Sequence, residues 1–368
     1  MVYFVDWNRQ RNNAQENERL HMMLNILVLN TLNDPTFETF FPQNVRERLA
    51  QLGNVTYYKW DRKDRKVLNE IIRDVDVMFT AWGAESFDKN FYAAANRLKI
   101  IAHTGGSVAD LVNEEMENQK DLVLLSGNQY YAESVAQATI CYMLMGQRRL
   151  YLTLKNTELT GWWKVPYTDG LRGKTIGLLS FGMIAKYVAG MLQVFGCKVK
   201  VYSSHGLSEA DKTKYNVEEC SIEELFSSCD IVSVHSGMTP KTYHMVNEKL
   251  LSLMKQDALL INTARGAVID EAALEDVVLS GRIRAVLDVF EVEPLPMTSR
   301  LRGLDNVLIV PHNGGPTTDV RQLVTMGLID DIQRYYSGDM ELENRITMEY
   351  AKNMTSHAIV AKRNQEKT

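Results

Sequence analysis

Short runs rich in Val, Ile and Leu alternate with longer amphipathic segments along most of the chain. The first series of runs is LNILVLN, VTYYKW, VDVMFT, LKIIAH and DLVLLS. A second series is KTIGLLS, CKVKVYS, DIVSVHS, ALLINTA, RAVLDVF and NVLIVPH. This alternation is typical of βα units, in which helices cover a parallel sheet. We therefore predict an α/β fold whose second series forms a complete, six-stranded, doubly wound sheet.

Two long amphipathic patterns flank the second series. The pattern ESVAQATICYMLMGQRRLYLTL predicts one helix that starts near Glu133 and connects two lobes. The pattern TDVRQLVTMGLIDDIQRYYSG predicts another long helix after the last strand. We infer two lobes, the second inserted into the first. Residues 1–22, rich in Asn, Gln, Arg and Glu, are predicted to form a poorly ordered polar extension, and residues 346–368 a C-terminal tail.

The composition is that of a globular protein, with 368 residues and 45% hydrophobic content, enough for two packed domains. Acidic residues outnumber basic ones by 46 to 41, so we expect no nucleic-acid partner. No signal-peptide or membrane-span pattern is present, so neither secretion nor membrane insertion is expected. The four cysteines, Cys141, Cys197, Cys220 and Cys229, show neither zinc-ligand nor disulfide spacing. We therefore expect no metal site and a reducing, cytoplasmic setting.

The stretch GKTIGLLSFGMIAKYVAG, residues 173–190, has the outline of a strand, a tight turn and a helix. Nucleotide enzymes carry Gly-x-Gly-x-x-Gly at such a place, where the glycines serve the turn, the approach to the pyrophosphate and helix packing. Only the middle glycine is present, as Gly182; Ser180 and Ala185 replace the others. We expect backbone strain at Ser180. By itself the motif also fits a turn that binds nothing.

About 20 residues further on, the next predicted strand ends in Ser203, Ser204 and His205. An acidic residue normally accepts hydrogen bonds from the adenosine ribose at this position. Its loss removes repulsion against a 2′-phosphate, but no arginine is adjacent, so His205 or Lys212 would have to hold that phosphate. The choice between NAD and NADP stays open, and His205 also fits a solvated loop.

Three later segments, INTARGAVIDE, LDVFEVEPLP and NVLIVPHNGG, each follow a predicted strand. Because open α/β sheets bind ligands at the carboxyl ends of their strands, Arg265, Glu293 and His312 can converge on one crevice. Arg265 would grip a substrate carboxylate, and His312 would exchange a proton with the neighbouring carbonyl oxygen as hydride moves to or from nicotinamide. Glu293 would favour the protonated imidazole, and Asp288 could hold the nicotinamide carboxamide.

Each residue also has an ordinary structural interpretation. A histidine after a strand is commonly a capping or packing residue, the arginine segment could be a plain strand-to-helix turn, and the glutamate segment an exposed acidic loop. The occurrence of all three in this order after successive strands favours a catalytic role.

In these segments the chain resembles the D-isomer-specific 2-hydroxyacid dehydrogenases, the family of phosphoglycerate, glycerate, formate and D-lactate dehydrogenases. The resemblance covers roughly residues 24–345 and implies that Arg265, Glu293 and His312 are the catalytic set. It implies two Rossmann-like or flavodoxin-like lobes, the dinucleotide-binding lobe inserted into the substrate-binding lobe. The implied substrate-binding domain is 23–131 with 314–345, and the implied Rossmann domain is 132–313. Members are usually homodimers through the latter.

The resemblance also implies ligand contacts. Implied cofactor contacts, beside Gly182, are Met183, Ile184, His235, Thr242, Thr263, Ala264 and Asp288. The segment AHTGGSVADLV resembles the family's substrate loop, which predicts contacts to the 2-hydroxy or 2-oxo acid at Gly105, Gly106 and Ser107. The family commonly shows Ala-Gly-Val-Gly there, whereas this chain has Thr-Gly-Gly-Ser-Val-Ala, so we expect a different pocket.

Two other functions compete with a dehydrogenase. The family includes dinucleotide-responsive corepressors, and Ser180 and Ser203 could weaken productive cofactor binding in such a sensor. The complete catalytic set favours the enzyme. A Rossmann methyltransferase is disfavoured because Arg265 and His312 would have no task in methyl transfer.

Overall fold

In the computed structural model, the described residues are 23–162, 167–352 and 354. They form two compact α/β units. The smaller unit contains the described chain up to Gly105, together with Asn113–Gly127 and Arg321–Ile346. The larger unit contains Gly106–Val112, Asn128–Val320 and the described residues from Thr347 onward. The larger unit is thus inserted into the smaller one along the chain, and the predicted extension at 1–22 lies outside the described residues.

The smaller unit is built on a five-stranded parallel sheet, as the first series of apolar runs predicts. Its strands are Leu24–Asn30 (β1), Gly53–Lys59 (β2), Val77–Thr80 (β3), Ile100–His103 (β4) and Val123–Ser126 (β5). Their order is β2-β1-β3-β4-β5. Its helices are Asp34–Phe40 (α1), Gln43–Leu52 (α2), Arg65–Ile71 (α3), Lys89–Ala94 (α4) and Glu114–Glu117 (α5), with a 3-10 turn at Ile72–Asp74. β1 is buried almost throughout because helices cover both faces of a central parallel strand.

The larger unit is built on a seven-stranded parallel sheet. Its strands are Thr175–Leu179 (β6), Lys198–Tyr202 (β7), Val217–Glu219 (β8), Ile231–Val234 (β9), Leu259–Asn262 (β10), Arg284–Leu287 (β11) and Val307–Ile309 (β12). Six of them are the predicted strands. The prediction of six was one short, because β8 has only three residues, two of them glutamates, and carries no apolar run.

The prediction of one helix from Glu133 was wrong in two respects. The helix begins earlier, as Asn128–Gln147 (α6), and a separate helix follows, Leu150–Thr160 (α7). Between them Arg149 has a left-handed backbone (φ 47°) that ends α6, and its guanidinium pairs with Asp257 at 2.7 Å.

The remaining helices are mostly short crossovers between strands. They are Met183–Leu192 (α8), Glu209–Tyr215 (α9), Ile222–Ser228 (α10), Glu248–Leu253 (α11), Glu271–Leu279 (α12), Thr318–Tyr336 (α13) and Met348–Lys352 (α14), with 3-10 turns at Gln193–Phe195 and Gly266–Val268. α13 confirms the predicted long helix. α14 corrects the predicted tail, which starts with a helical turn; the tail beyond residue 354 lies outside the described residues. None of the helices in the described ranges is both long and apolar enough to span a bilayer.

The strand order of the larger sheet fixes where a ligand can bind. The order is β12-β11-β10-β9-β6-β7-β8, so the chain runs outward from β6 in one direction and returns to β9 on its other side. Such a reversal leaves a crevice at the carboxyl ends of β6 and β9, since the connections depart to opposite faces. The Ser180 turn follows β6, and His235 follows β9.

Candidate active site

The turn after β6 has the backbone that a dinucleotide site requires. Ser180 has a left-handed backbone (φ 78°), which confirms the expected strain. Its hydroxyl lies 2.5 Å from the Ser236 hydroxyl. Gly182 is the N-cap of α8 and makes no side-chain cap, and a side chain built there would meet no other atom within 4 Å. Ala185 is fully buried against the sheet, as the third position of the fingerprint requires.

This turn and its neighbour β9 fit a dinucleotide. The uncapped amides at the start of α8 point a positive helix end at open space, which suits a pyrophosphate. At the end of β9, the two ring nitrogens of His235 are buried and have no hydrogen-bond partner within the described chain. Burial lowers the pKa of His235 to about 3, so the ring is neutral and offers one donor and one acceptor. Buried polar atoms without partners are rare unless a ligand or water supplies them.

The loop after β7 carries Ser203, Ser204 and His205, of which the last two are exposed. Lys212, a candidate holder of a 2′-phosphate, is already paired with Glu209 and Glu219, each at 2.9 Å. Glu219 also accepts a hydrogen bond from the Leu207 N–H at 3.2 Å. The loop is therefore flanked by carboxylates.

The other expected cofactor contacts lie in the first turn of α8, at the ends of strands or in the loops that follow strands. Met183 is exposed at the first turn of α8, and Ile184 is half-buried beside it. The Thr263 hydroxyl lies 3.0 Å from the Thr139 hydroxyl of α6, and the Thr242 hydroxyl donates to the Gly237 carbonyl at 2.6 Å. Ala264 is buried, with its N–H donating to Asn262 Oδ1 at 3.0 Å.

Arg265 follows β10 with much of its donor capacity unused. Its Nη1 donates to the Ala264 carbonyl at 2.6 Å, and its Nε is buried without a hydrogen-bond partner among the residues described. Burial lowers the pKa of the guanidinium, and the negative charge of Glu293 opposes that effect. The guanidinium is thus a buried cation with open donors, which suits an entering carboxylate.

Glu293 and His312 form a direct pair. Oε2 of Glu293 lies 2.6 Å from Nδ1 of His312, and Oε1 accepts from the Phe290 N–H at 3.0 Å. Burial alone would raise the pKa of Glu293, but the hydrogen bonds from His312 and Phe290, with the charges of His312 and Arg265, outweigh it and hold that pKa below its ordinary value. The arrangement assigns Nδ1 of His312 to the carboxylate, which leaves Nε2 for a substrate. Both side chains are partly exposed.

Asp288, at the end of β11, shapes the turn that carries His312. It is 2% exposed, and its carboxylate accepts from the Asn313 and Gly314 N–H groups at 2.7 and 2.9 Å. Its carbonyl accepts from the His312 N–H at 2.8 Å, and the Tyr142 hydroxyl lies 3.3 Å from Oδ1. Tyr142 has no counterpart in the sequence expectations, since an apolar helix pattern gave no sign of its hydroxyl. Asp288 therefore supports the turn as well as being a candidate cofactor contact.

The expected substrate loop is tightly packed within each unit. In the smaller unit a side chain added to Gly105 would meet Nε2 of His103 at 2.2 Å. In the larger unit an added side chain at Gly106 would meet the Tyr131 ring at 3.1 Å. Ser107 is half-buried. A side chain at Gly105 would therefore require the His103 ring to move, and one at Gly106 would require a small shift of the Tyr131 ring, whether or not the amides bind substrate.

The comparisons with known proteins identify the family of the chain. Residues 140–314 match the sequence model of the NAD-binding domain of the D-isomer specific 2-hydroxyacid dehydrogenases. The hydroxypyruvate reductase of Thermotoga maritima is 34% identical over 277 residues, 73% of this chain and 87% of that protein. The glyoxylate reductase of Thermococcus litoralis is 34% identical over 292 residues, 76% of this chain and 87% of that protein.

A solved structure gives the same result. An acyclic imino acid reductase (Bsp5), in complex with NADPH and D-Arg, is 25% identical with a TM-score of 0.70, and the match covers 88% of this chain and all of that one. The chain is a nicotinamide-dependent oxidoreductase of the two-unit, parallel-sheet class. It belongs to the D-isomer specific 2-hydroxyacid dehydrogenase family, which confirms the resemblance, and its cofactor is NAD or NADP.

Proposed function

We propose that this protein interconverts a D-2-hydroxy acid and the matching 2-oxo acid, with Arg265, Glu293 and His312 as its catalytic set. The observation that carries the proposal is the 2.6 Å contact between His312 and Glu293 in the same unit as a buried guanidinium with open donors. A bidentate arginine orients a carboxylate, and a histidine backed by a carboxylate exchanges a proton with the adjacent oxygen.

The reaction adds two electrons and two hydrogens to a carbonyl. Bound nicotinamide supplies or accepts the hydride at the carbonyl carbon. Nε2 of His312 gives the proton to the carbonyl oxygen during reduction and takes it back during oxidation. Glu293 holds the ring by Nδ1 and stabilises its positive charge before transfer, while Arg265 fixes the carboxylate so that the carbonyl faces His312.

The remaining assignments complete this proposal. The proposed dinucleotide-binding domain, 132–313, lies within the larger unit. The proposed substrate-binding domain, 23–131 with 314–345, corresponds mostly to the smaller unit. The proposed cofactor contacts are Gly182, Met183, Ile184, Ser203, Ser204, His205, His235, Thr242, Thr263, Ala264 and Asp288. Amides of Gly105, Gly106 and Ser107 hold the substrate carboxylate from the substrate loop. A cytoplasmic homodimer stays a prediction from the cysteines and the family resemblance.

Hydroxypyruvate and glyoxylate are the first substrates to test, because two relatives at 34% identity carry their names. The assay follows oxidation of NADH and NADPH with these acids, pyruvate and 2-oxoglutarate. We expect turnover with at least one of them, and His312→Ala to lower kcat by at least about 100-fold. Lys255→Ala, which removes a surface ion pair with Asp230, is the control. If none of these acids is turned over with NADH or NADPH, or if His312→Ala keeps full activity, the proposal is refuted. The comparisons do not support the corepressor alternative.

A further inference from the structure

The loops that carry Arg265 and Glu293 touch each other through their backbones. A side chain built on Gly266 would lie 1.9 Å from the Phe290 carbonyl carbon and 2.4 Å from the Glu291 nitrogen. Real side chains never approach backbone so closely, so the residue after Arg265 has to be glycine. The position of the guanidinium thus depends on how the chain at 265–270 lies against the chain at 290–293.

A third segment fastens the first of these loops from the side. The His244 N–H donates to the Ala267 carbonyl at 2.9 Å, and the Val246 N–H donates to the Val268 carbonyl at 3.0 Å. In return, the Asp270 N–H donates to the Val246 carbonyl at 2.9 Å. Residues 244–246 therefore form a short parallel ladder with the chain that follows Arg265.

The His244 side chain joins this ladder to the other loop. Its Nε2 lies 2.6 Å from Oε1 of Glu291, and its Nδ1 lies 3.8 Å from Oδ2 of Asp270. The Glu291 carboxylate also accepts from the Glu271 N–H at 3.1 Å, and the Glu291 N–H donates to Glu271 at 2.9 Å. We call the contacts of His244 with Glu291 and Asp270 the loop clasp. Glu291 is 7% exposed, so this bond is shielded from water.

Two features indicate that the clasp is held in place for a reason beyond packing. His244 has a left-handed backbone (φ 52°), a conformation that costs a non-glycine residue about 1–2 kcal/mol. Its ring stacks on Tyr243 with centroids 3.9 Å apart. Strained residues of this kind cluster at active sites, ligand clamps and switch regions.

One ligand atom from each of the three side chains of the loop clasp lies within 4.8 Å of the other two, close enough for a metal ion as well. Glu291 faces one ring nitrogen of His244 and Asp270 faces the other, and the two nitrogens of an imidazole point away from each other. Each carboxylate therefore has a ring nitrogen of its own, at 3.8 Å for Asp270 and 2.6 Å for Glu291. An imidazole that bridges two carboxylates across two loops explains the geometry better.

We propose that His244 is a positioning residue, whose bond to Glu291 sets the distance between the Arg265 guanidinium and the Glu293–His312 pair. The proposal rests on the proposed roles of Arg265, Glu293 and His312. Loss of the clasp lets the loop 265–270 shift against the loop 290–293, so the carboxylate and the carbonyl of one substrate no longer meet both groups together.

The first test separates positioning from stability. His244→Ala should raise KM for the 2-oxo acid by about 10-fold or more and lower kcat, with the dissociation constant of NADH within about twofold of the wild type. His244→Gln, whose amide can still donate to Glu291, should recover most of the loss. Lys255→Ala is the control. Equal losses in cofactor and substrate binding, or no rescue by glutamine, would overturn the proposal.

The second test asks whether His244 acts through Arg265. If it does, His244→Ala in an Arg265→Ala background should lower kcat/KM by no more than about twofold further. If the fold losses in kcat/KM of the two substitutions multiply in the double variant, His244 and Arg265 act independently, and the proposal is overturned. If Arg265→Ala itself leaves kcat/KM unchanged, the proposed function fails instead, which keeps the two failures distinct.

A third readout needs no turnover. The Glu271 N–H donates to the Glu291 carboxylate, and the Glu291 N–H donates to the Glu271 carboxylate. In His244→Ala the hydrogen exchange of these two amides should accelerate, while exchange in β10 should be unchanged. Glu291→Gln keeps the side-chain volume and should show the same local acceleration of exchange. This variant provides the test if His244→Ala does not fold. Uniform acceleration through β10, or none at the two amides in either variant, would contradict the clasp.

Discussion

Nδ1 of His312 and Oε2 of Glu293 lie 2.6 Å apart, and this contact lowers the pKa of the carboxyl in spite of its burial. A carboxylate whose folded pKa lies below its unfolded value, about 4.3, stabilises the fold above that unfolded value. The contribution is lost as pH falls through the folded pKa. The pair therefore makes stability depend on pH on the acidic side.

We accordingly expect Glu293→Gln to lose less stability than the wild type when pH falls from about 6 to about 3. The amide cannot be protonated there, so it has no ionised state to lose. Urea denaturation at several pH values measures the difference. At neutral pH the variant should also lower kcat by about 10-fold or more, because the ring of His312 loses its charged partner. A pH profile of stability parallel to that of the wild type would contradict the assigned role of the carboxylate.

Ser180 gives a second prediction, because its backbone strain and its hydrogen bond oppose each other. Replacing Ser180 by glycine relieves about 1–2 kcal/mol of left-handed backbone strain. The replacement also loses the hydrogen bond to Ser236, worth about 0.5–1.5 kcal/mol. Glycine further costs about 0.4–1 kcal/mol because it raises the conformational entropy of the unfolded chain. Ser180→Gly should therefore remain near the wild type in thermal midpoint. Ser180→Ala keeps the strain and loses the bond, so it should be the less stable variant by about 1 kcal/mol. The reverse order would show that Ser180 is not strained.

The arrangement of strands explains how much of the site could be predicted. The proximity of Arg265, Glu293 and His312 is predictable from sequence because the carboxyl ends of parallel strands meet at one edge of a sheet, so position along the chain gives position in space. The short β8 and the break between α6 and α7 at Arg149 were missed. Arg149 lies in a continuous amphipathic pattern that contains Gly146 but no proline. Its left-handed turn accompanies the pairing of its guanidinium with Asp257, a tertiary contact.

The loop clasp shows a second limit of sequence interpretation. His244 and Glu291 are 47 residues apart, and neither stands at the end of a strand. Their contact depends on how two loops fold back on each other, which hydrophobic periodicity does not describe. Glu291 lies two residues before Glu293 in the predicted catalytic segment, yet its side chain is 8% exposed whereas that of Glu293 is 35% exposed.

The loop after β7 gives a third prediction, on cofactor choice. Lys212 is engaged by Glu209 and Glu219, and Glu219 also binds the Leu207 N–H of the same loop. If this loop holds the adenosine ribose as proposed, these carboxylates repel a 2′-phosphate. NADH should then raise the thermal midpoint more than NADPH at matched concentrations, and the difference reports the ratio of dissociation constants. Glu219→Gln should reduce the difference between the shifts in thermal midpoint with NADH and with NADPH. If NADPH raises the thermal midpoint more than NADH does, the 2′-phosphate does not lie beside these carboxylates.

Two glycines of the larger unit provide a matched pair for the last prediction. At Gly266 an added Cβ would overlap the Phe290 and Glu291 backbone, whereas at Gly190, within α8, it would meet nothing within 4 Å outside the helix. Gly190→Ala should be neutral or stabilise the protein by up to about 1 kcal/mol, because alanine favours the helix.

Gly266→Ala should destabilise by about 3 kcal/mol or more, since only backbone can move to make room. It should also abolish turnover, because the loops of Arg265 and Glu293 must separate to accept the methyl group. Thermal melting and kcat/KM of the two purified variants test both effects. Wild-type kinetics of Gly266→Ala would show that the spacing of these loops does not matter for catalysis. That result would contradict the close approach of the two backbones. It would also contradict the positioning role of the loop clasp, which spans the two loops.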